Sequence, residues 1–383
     1  MSWHSDHKFA VTVAGGSIGG LCAGIMLRGI GCEVDIHERV AGPMEMQGAG
    51  IVVQGEVLRV IREHDGPALP TTSCRGRKYL DLDGGDGVFQ DMPQQFTSWE
   101  AIYKTLRTMF PDDRYHSGSQ LSVPTQTGNR VSASLADGRI VESDLFIAAD
   151  GSNSEIRRRL LPDVLPNYAG YVAWRGTLEE AEAGPDLKSF FDDTFTFSEA
   201  RSGGHILVYF IPGTNADVRP GHRRLNWVWY VQATDADLAR MLVDKNGKVH
   251  RTSLPQGFAH PSVVSELHAR AKREVHPMLA KLVEVTPEPF MQTIVDIVVP
   301  KTVFGRVMLT GDSAFVVRPH TAGATAKAAY DALVLGKNLD RARSNVDVGL
   351  EAVEELQLEY GRSLVQYGVA LGDRWAKTSD GKL

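Results

Sequence analysis

The chain has 383 residues and a formal net charge of −6, with 43% hydrophobic and 23% charged residues. These values are ordinary for a globular protein of two or three domains, and the acidic balance argues against a surface that binds nucleic acid. The three cysteines form no CxxC pair, which disfavours a disulfide framework or a zinc site, so we expect a cytoplasmic enzyme without a bound metal.

The first elements are a strand, a glycine-rich turn and a helix. Residues 9–14 are a compact β-branched run, typical of a buried strand, and apolar residues recur at helical spacing over 18–26. Residues 33–38 read as a second strand. The uncharged stretch 9–27 is long enough to cross a membrane, but five of its residues are glycine, which helix interiors disfavour. We therefore predict the first half of a βαβ unit and no membrane span.

The turn between the first strand and the helix has the spacing of a dinucleotide-binding motif. Gly15 and Gly20 fit G-x-G-x-x-G, Ser17 replaces the second glycine, and Ile18 begins the helix. Glu38 ends the second strand, where a carboxylate binds the adenosine ribose hydroxyls. A purely structural turn is the alternative. Because an acid favours a ribose without a phosphate, the motif predicts FAD or NAD.

Two further glycine–acid pairs follow short apolar strands. Asp150 and Gly151 come after the strand 145–149, and Asp312 comes after the strand 307–310. Ligands of open α/β sheets bind at such strand ends. Taken alone, the first pair is more often a plain turn. The loop 318–324 then enters a helix whose N-terminus has the positive end of the helix dipole.

The remaining elements suggest a discontinuous organisation. We predict, in chain order, a hairpin turn at 81–87, a helix at 98–110, a hairpin at 131–142, long strands at 194–197, 205–211 and 225–231, a helical section to about 285, a helix at 322–339 and a helical tail at 350–375. This pattern predicts an α/β fold in which a Rossmann-like domain is interrupted by an antiparallel-sheet domain. The expected boundaries are 1–165 with 290–345 for the dinucleotide-binding domain, 166–289 for a substrate-binding domain with a mixed sheet, and 346–383 for the tail.

The three motifs, in this order, resemble those of the single-component FAD-dependent aromatic hydroxylases, the family that includes para-hydroxybenzoate hydroxylase. The stretches 50–54, 168–176 and 318–320 are most similar to members that act on hydroxypyridines. The resemblance implies a Rossmann-like FAD-binding domain and an inserted substrate domain. It also implies that NADH or NADPH reduces FAD, that O₂ adds at flavin C4a, and that a small hydroxylated aromatic, such as a hydroxypyridine, is hydroxylated.

The resemblance also implies roles for individual residues. At the ADP part of FAD we expect Gly15, Ser17, Ile18, Gly20, Glu38 and Arg39, and at the ribityl chain Asp312. At FAD and along the approach of the nicotinamide we expect Asp150, Gly151 and Arg157. At the isoalloxazine ring we expect the segment 48–54 (with Gly50), Pro319, Gly323 and Ala324. Tyr103 is a departure, because the family usually has an arginine there that helps to hold FAD.

Candidate substrate residues follow from position. His320 lies in the ring-facing loop, as a proton relay or as a structural hydrogen-bonding residue. Alternation along 205–211 places His205 and Tyr209 on one face, which either lines the substrate site or packs under a loop. Gln54 is a candidate hydrogen-bonding residue of the active site.

Two other functions fit the same cofactor-binding motifs. One is a flavin oxidase or another FAD oxidoreductase that does not hydroxylate, and the other is a non-catalytic flavin-binding regulator. The expected partners are a small aromatic substrate and O₂, with no nucleic acid and no membrane. The tail helix at 350–375 packs either on its own chain or in a homodimer.

Overall fold

The computed structural model describes residues 9–42, 44, 50–85, 87–342 and 345–377. Some predicted regions lie partly outside these residues. They are 1–8, 43, 45–47 and 343–344 of the predicted dinucleotide-binding domain, 48–49 of the segment 48–54 expected at the isoalloxazine ring, residue 86 of the predicted turn at 81–87, and 378–383 of the tail. Among the described helices, none combines the length and apolar character needed to cross a bilayer.

The strands are β1 Ala10–Ala14, β2 Glu33–Glu38, β3 Gly50–Val52, β4 Thr72–Leu80, β5 Val88–Ser98, β6 Tyr115–Ser117, β7 Thr125–Thr127, β8 Arg130–Ser134, β9 Ile140–Ser143, β10 Leu145–Ala148, β11 Asn167–Glu179, β12 Thr194–Glu199, β13 His205–Ile211, β14 Arg224–Gln232, β15 Ser253–Leu254, β16 Phe290–Val298, β17 Val303–Phe304, β18 Val307–Leu309 and β19 Phe315–Val316. The helices are α1 Ile18–Gly29, α2 Gly55–Glu63, α3 Trp99–Thr108, α4 Glu155–Leu160, α5 Pro185–Phe191, α6 Asp235–Met241, α7 Pro261–Glu274, α8 Pro277–Val285, α9 Ala324–Arg341 and α10 Val346–Lys377.

The first sheet has the Rossmann-like arrangement that the glycine motif predicts. Its strand order is β17-β18-β10-β1-β2-β6, and every neighbouring pair except β17–β18 is parallel. Helices α1 and α9 pack together and contribute to the apolar core of this region. Because β1, β10 and β18 are neighbours and run the same way, the turns that follow them meet at one edge. The predicted α/β fold class is confirmed.

The second sheet is built from more of the chain than the inserted segment alone. Its order is β15-β16-β11-β14-β13-β12-β4-β5-β3, with β19 paired to β16. The strands flanking the predicted turn at 81–87 are long, and β4 pairs in parallel with β12. A single sheet therefore joins residues 50–98 to the strands after 166. A third sheet of β7, β8 and β9 contains the predicted hairpin.

The two faces of the second sheet are chemically different. Trp174, Trp227 and Trp229 are at most 1% exposed and belong to an apolar cluster that includes residues of α7 and α8. The alternate residues of β11, β13 and β14, including Tyr171 and Tyr209, lie in separate clusters. Because side chains alternate along a strand, this second face remains for a site.

Candidate active site

The turn after β1 requires glycine at two positions. Gly15 has φ +108°, and a Cβ atom there would lie 2.2 Å from the carbonyl oxygen of Ala149. A Cβ atom on Gly20 would lie 1.8 Å from the carbonyl oxygen of Gly15. Glycine therefore lets β1, β10 and the start of α1 approach closely, as a dinucleotide turn requires.

A cleft of about 240 Å³ lies beside this turn. It brings together several residues that the motifs single out, and its lining includes Gly15, Ser17, His37, Glu38, Arg39, Trp99, Asp150, Gly151 and Arg158. Ser17 is the N-cap of α1 but makes no capping bond through its side chain. Ile18 is only 4% exposed and belongs to the apolar core. The cleft thus unites the first two motifs, while Ile18 supports the turn by packing.

Unpaired polar atoms show that the cleft suits a polar ligand. Glu38 is 6% exposed and accepts hydrogen bonds from the backbone N–H groups of Gly16 and Val40, both at 2.8 Å. His37 Nε2 and Asp150 Oδ1 are buried and have no hydrogen-bond partner among the described residues. Such atoms are costly unless a ligand or water pairs with them. Their donor and acceptor chemistry fits the adenosine part of FAD.

Tyr103 supports the glycine turn through a second tyrosine. Its hydroxyl lies 3.3 Å from that of Tyr115, which donates to the carbonyl oxygen of Gly16 at 3.0 Å. Trp99 stacks on Tyr103 with ring centroids 5.2 Å apart and lines the cleft. The position that usually has an arginine in the family therefore belongs to a tyrosine network behind the turn, in which Arg107 lies over the Tyr115 ring at 4.3 Å from its centroid.

Arg157 connects the two later motifs. Its guanidinium donates to the carbonyl oxygen of Ser152 at 2.6 Å and to those of Asp312 and Ser313 at 3.1 Å. The side chain is 1% exposed. Five donors in one planar group allow such bridging. Burial raises the pKa of the Asp312 carboxyl.

A buried ion pair holds the turn at Gly311 from the α9 side. Lys327 Nζ donates to the Gly311 carbonyl oxygen at 2.8 Å and to Asp331 Oδ2 at 2.7 Å. The same carboxylate oxygen accepts from Gly311 N at 2.9 Å. Both charged side chains are 0% exposed. The pair therefore fixes the backbone that presents Asp312.

The Lys327→Met variant is expected to be less stable than the wild type by about 3–5 kcal/mol, because it leaves the Asp331 carboxylate buried without its cation. The free energy of unfolding in urea measures the loss. The double variant Lys327→Met/Asp331→Leu removes both charges and should recover part of it. A single variant within about 1 kcal/mol of the wild type would contradict this role for the pair.

The loop before α9 and strand β3 approach the second sheet. Pro319 begins a 3-10 turn, Ala322 has φ +51°, and Gly323 is the N-cap of α9, with Ala324 as its first residue. In β3, Gly50 N donates to Asn226 Oδ1 at 2.9 Å.

A Cβ atom on Gly50 would lie 2.6 Å from the Tyr209 ring, so glycine lets β3 cross that face of the sheet closely. Gln54 is the N-cap of α2 and makes no capping bond through its side chain. This amide therefore remains available for other contacts.

His320 and His205 lie in one aromatic cluster on that face. The Tyr171 hydroxyl lies 2.8 Å from His320 Nε2, and the Tyr230 ring lies 4.2 Å from the His320 ring between centroids. The His205 ring lies 4.8 Å from Tyr230 and 5.3 Å from His320. Tyr209 lies in the adjacent cluster, and Leu207 packs against both.

The histidines of this cluster are held neutral. Burial, with the positive charges of Arg318 and Arg175, lowers the pKa of His320 to about 4. Burial also lowers the pKa of His205 well below its usual value, and raises that of Tyr230 to about 12. Near neutral pH these rings therefore carry no net charge.

Arg318 anchors the ring-facing loop beside His320. Its guanidinium donates to both carboxylate oxygens of Asp296, with Nη2 to Oδ2 at 2.8 Å, and Nη1 donates to Asp373 of α10 at 3.1 Å. A bidentate contact of this kind fixes orientation as well as position. The loop, the second sheet and α10 are thereby tied together.

The same face has buried polar atoms without partners among the described residues. They are His320 Nδ1, His205 Nδ1, Arg175 Nε and Asn226 Nδ2. This face also holds four residues that were not among the predicted site residues: Tyr171, Arg175, Asn226 and Tyr230. Alternation along β11 and β14 places them there, as it places His205 and Tyr209 on β13. A small ligand with several polar groups suits this surface.

Acid is expected to destabilise the protein through its buried neutral histidines. The pKa values of His37 and His320 are both about 4, below the value of about 6.5 in an unfolded chain. The unfolded state therefore binds more protons between these values, and stability falls as the pH falls. From about pH 7.5 to pH 5, each histidine costs about 2 kcal/mol.

Urea unfolding of the wild type and of His37→Leu, followed across that pH range, measures this effect. The His37→Leu variant should lose about 2 kcal/mol of the pH dependence. The His222→Gln variant is the control, because the His222 side chain is 60% exposed. Equal pH dependence in all three proteins would contradict the prediction.

The turns, the cleft and the second sheet define a flavoprotein, and the chain belongs to the FAD-dependent aromatic monooxygenases. A family model described as "FAD binding domain-like" matches residues 168–296. The chain is 34% identical to 2,6-dihydroxypyridine 3-monooxygenase of Paenarthrobacter nicotinovorans, over 92% of this chain and 88% of that protein. It is 25% identical to 6-hydroxynicotinate 3-monooxygenase of Pseudomonas fluorescens, over 97% and 92% of the two chains.

A solved structure supports the same assignment. The structure of 2,6-dihydroxypyridine-3-hydroxylase from Arthrobacter nicotinovorans matches with a TM-score of 0.91 and 32% identity, and the match covers 98% of this chain and 94% of that one. The predicted family, the FAD cofactor and the enzyme class are therefore confirmed. The individual site residues remain predictions.

Proposed function

We propose that the protein hydroxylates a small hydroxylated N-heterocycle of the hydroxypyridine class, using NADH or NADPH and O₂. The observation that carries the proposal is His320, whose ring is neutral and whose Nδ1 is buried without a partner on the second sheet. The two relatives described above are named for hydroxypyridine-type substrates. Arg175 and Asn226 add unpaired donors on the same face, which suit ring hydroxyls and a ring nitrogen.

FAD would be held by residues from each motif. The ADP part would be bound by Gly15, Ser17, Glu38 and Arg39, with Gly20 shaping the turn. The ribityl chain would be bound by Asp312, and the middle of the site would be ordered by Asp150, Gly151 and Arg157. The isoalloxazine ring would be faced by Gly50, Pro319, Gly323 and Ala324. When bound, FAD would supply hydride acceptance from the nicotinamide and transfer of one oxygen atom from O₂ to the substrate.

His320 and Tyr171 form the proposed proton relay. His320 Nδ1 would accept the proton of a substrate hydroxyl. At the same time His320 Nε2, which lies 2.8 Å from the Tyr171 hydroxyl oxygen, would donate its own proton to that oxygen. The tyrosine would pass its proton to the Asp373 carboxylate, which accepts a hydrogen bond from Arg318 Nη1 at 3.1 Å. The histidine changes tautomer and stays neutral, which fits its low pKa. Loss of the substrate proton makes the ring electron-rich and ready for hydroxylation.

Tyr209, His205 and Gln54 would complete the substrate surroundings. Tyr209 lies under Gly50, and the His205 ring contacts the His320 ring.

We also propose a cytoplasmic location, which the three free and buried cysteines support.

The test uses the yellow holoenzyme. NADH oxidation is followed with a dihydroxypyridine, a monohydroxypyridine and the carbocyclic analogue resorcinol, with isotopically labelled O₂ and with hydrogen peroxide measured in parallel. We expect the dihydroxypyridine to stimulate NADH oxidation most and to gain one labelled oxygen atom. Stimulated oxidation that yields only hydrogen peroxide from every compound would indicate an oxidase. Oxidation that none of them stimulates would overturn the proposal.

A further inference from the structure

The last helix, α10, packs closely along the ring-facing loop. A Cβ atom on Gly372 would lie 2.6 Å from the Tyr171 hydroxyl oxygen, and one on Gly368 would lie 3.2 Å from Thr321. A Cβ atom on Gly361 would lie 2.5 Å from the Phe315 ring. These glycines are spaced by seven and four residues, so they share one face of the helix.

Three glycines weaken a helix by about 2–3 kcal/mol relative to alanine. Glycine at these positions therefore lowers the intrinsic stability of α10. In return, the backbone of α10 approaches the loop and Tyr171 more closely than alanine would allow. The contact between Arg318 and Asp373 fixes the helix at the same place.

The same face of α10 ends at Trp375. Its ring lies 4.2 Å from the His205 ring between centroids, at an angle of 33°. His205 is 4% exposed and contacts both Tyr230 and His320. The site face of the second sheet thus runs from Tyr209 through Leu207 to His205, and the indole of Trp375 covers its end.

We propose that Trp375 is the end wall of the substrate site and limits it to single-ring substrates. This inference rests on the proposed function, because it assigns the substrate to that face. A fused second ring lying along the face toward His205 would collide with the indole. The same indole excludes water from the His320 cluster, and a dry site limits the side reaction in which hydrogen peroxide is released instead of hydroxylated product.

The experiment compares the wild-type holoenzyme with Trp375→Ala, Trp375→Phe and the control Arg374→Ala. Arg374 is exposed on the same turn of α10. Binding of a dihydroxypyridine and of a dihydroxyquinoline is followed by the flavin absorbance without NADH. We expect Trp375→Ala to bind the two-ring compound about tenfold more tightly than the wild type does, with Trp375→Phe between them. Arg374→Ala should match the wild type.

A second readout needs no substrate. Iodide quenching of the flavin fluorescence should increase in Trp375→Ala and not in Arg374→Ala, because the variant opens the site to solvent. If the wild type binds neither compound but quenching increases in Trp375→Ala, the proposed function fails and the wall remains. If quenching and ring-size preference are both unchanged in Trp375→Ala, the wall is overturned. Increased quenching with unchanged preference overturns its role in selecting ring size.

Discussion

The Gly15→Ala variant is expected to purify colourless, with its affinity for FAD lowered about 100-fold or more. Gly15 has φ +108°, a region that alanine occupies only with strain. Its new Cβ atom would also lie 2.2 Å from the Ala149 carbonyl oxygen, so the turn must move away from β10. This movement displaces the backbone that lines the cleft beside Glu38.

The matched control is Gly138→Ala. Gly138 also has a positive φ, +86°, but no atom lies within 4 Å of its added Cβ, and it belongs to the hairpin between β8 and β9. The control shares the strain without the clash. Fluorescence titration with FAD measures affinity, and circular dichroism checks that each variant is folded. A folded Gly15→Ala that binds FAD as the wild type does would refute the assignment of this turn.

The cofactor half of the site could be predicted because its signals are local. Gly15 and Gly20 lie within one strand–turn–helix unit, and the need for glycine at position 20 comes from the Gly15 carbonyl oxygen of the same turn. Only the clash at Gly15 involves a distant residue, Ala149, which follows β10. Asp150 and Asp312 each follow a short apolar strand, and parallel strands bring their ends to one edge. Motif order together with this topology is enough to bring the three turns to one edge of the sheet, where the cleft lies beside the first two.

The contacts across the second sheet could not be predicted in this way. Strands β3, β4 and β5 join it through pairings such as Gly76 with Thr194, which are distant in sequence and leave no local pattern. Trp375 lies 170 residues from His205 and reaches it only because α10 packs on the ring-facing loop. Tyr171 is different, since alternation along β11 is enough to place it on the site face, and only its contact with His320 depends on long-range packing.

The His320→Ala variant is expected to slow substrate hydroxylation by about 10²–10³-fold, because a positioned proton acceptor contributes this much. The Tyr171→Phe variant keeps the histidine but removes the hydroxyl that lies 2.8 Å from Nε2. It should lower the rate less, by about tenfold or more, because the histidine would then have to carry a charge in a buried site. Both variants should still bind FAD.

Single-turnover hydroxylation of a dihydroxypyridine, followed across pH, separates the relay from a structural role. The wild-type rate should not decline as the pH falls from neutrality to about 5, because His320 with a pKa of about 4 stays neutral there. In His320→Ala the substrate must lose its proton to solvent, so the rate should increase with pH. Tyr168→Phe is the control for Tyr171→Phe, since the Tyr168 hydroxyl, on the same strand, donates only to the carbonyl oxygen of Ala233 at 2.7 Å. A His320→Ala enzyme with the wild-type rate and pH profile would exclude the relay and leave His320 as a packing residue.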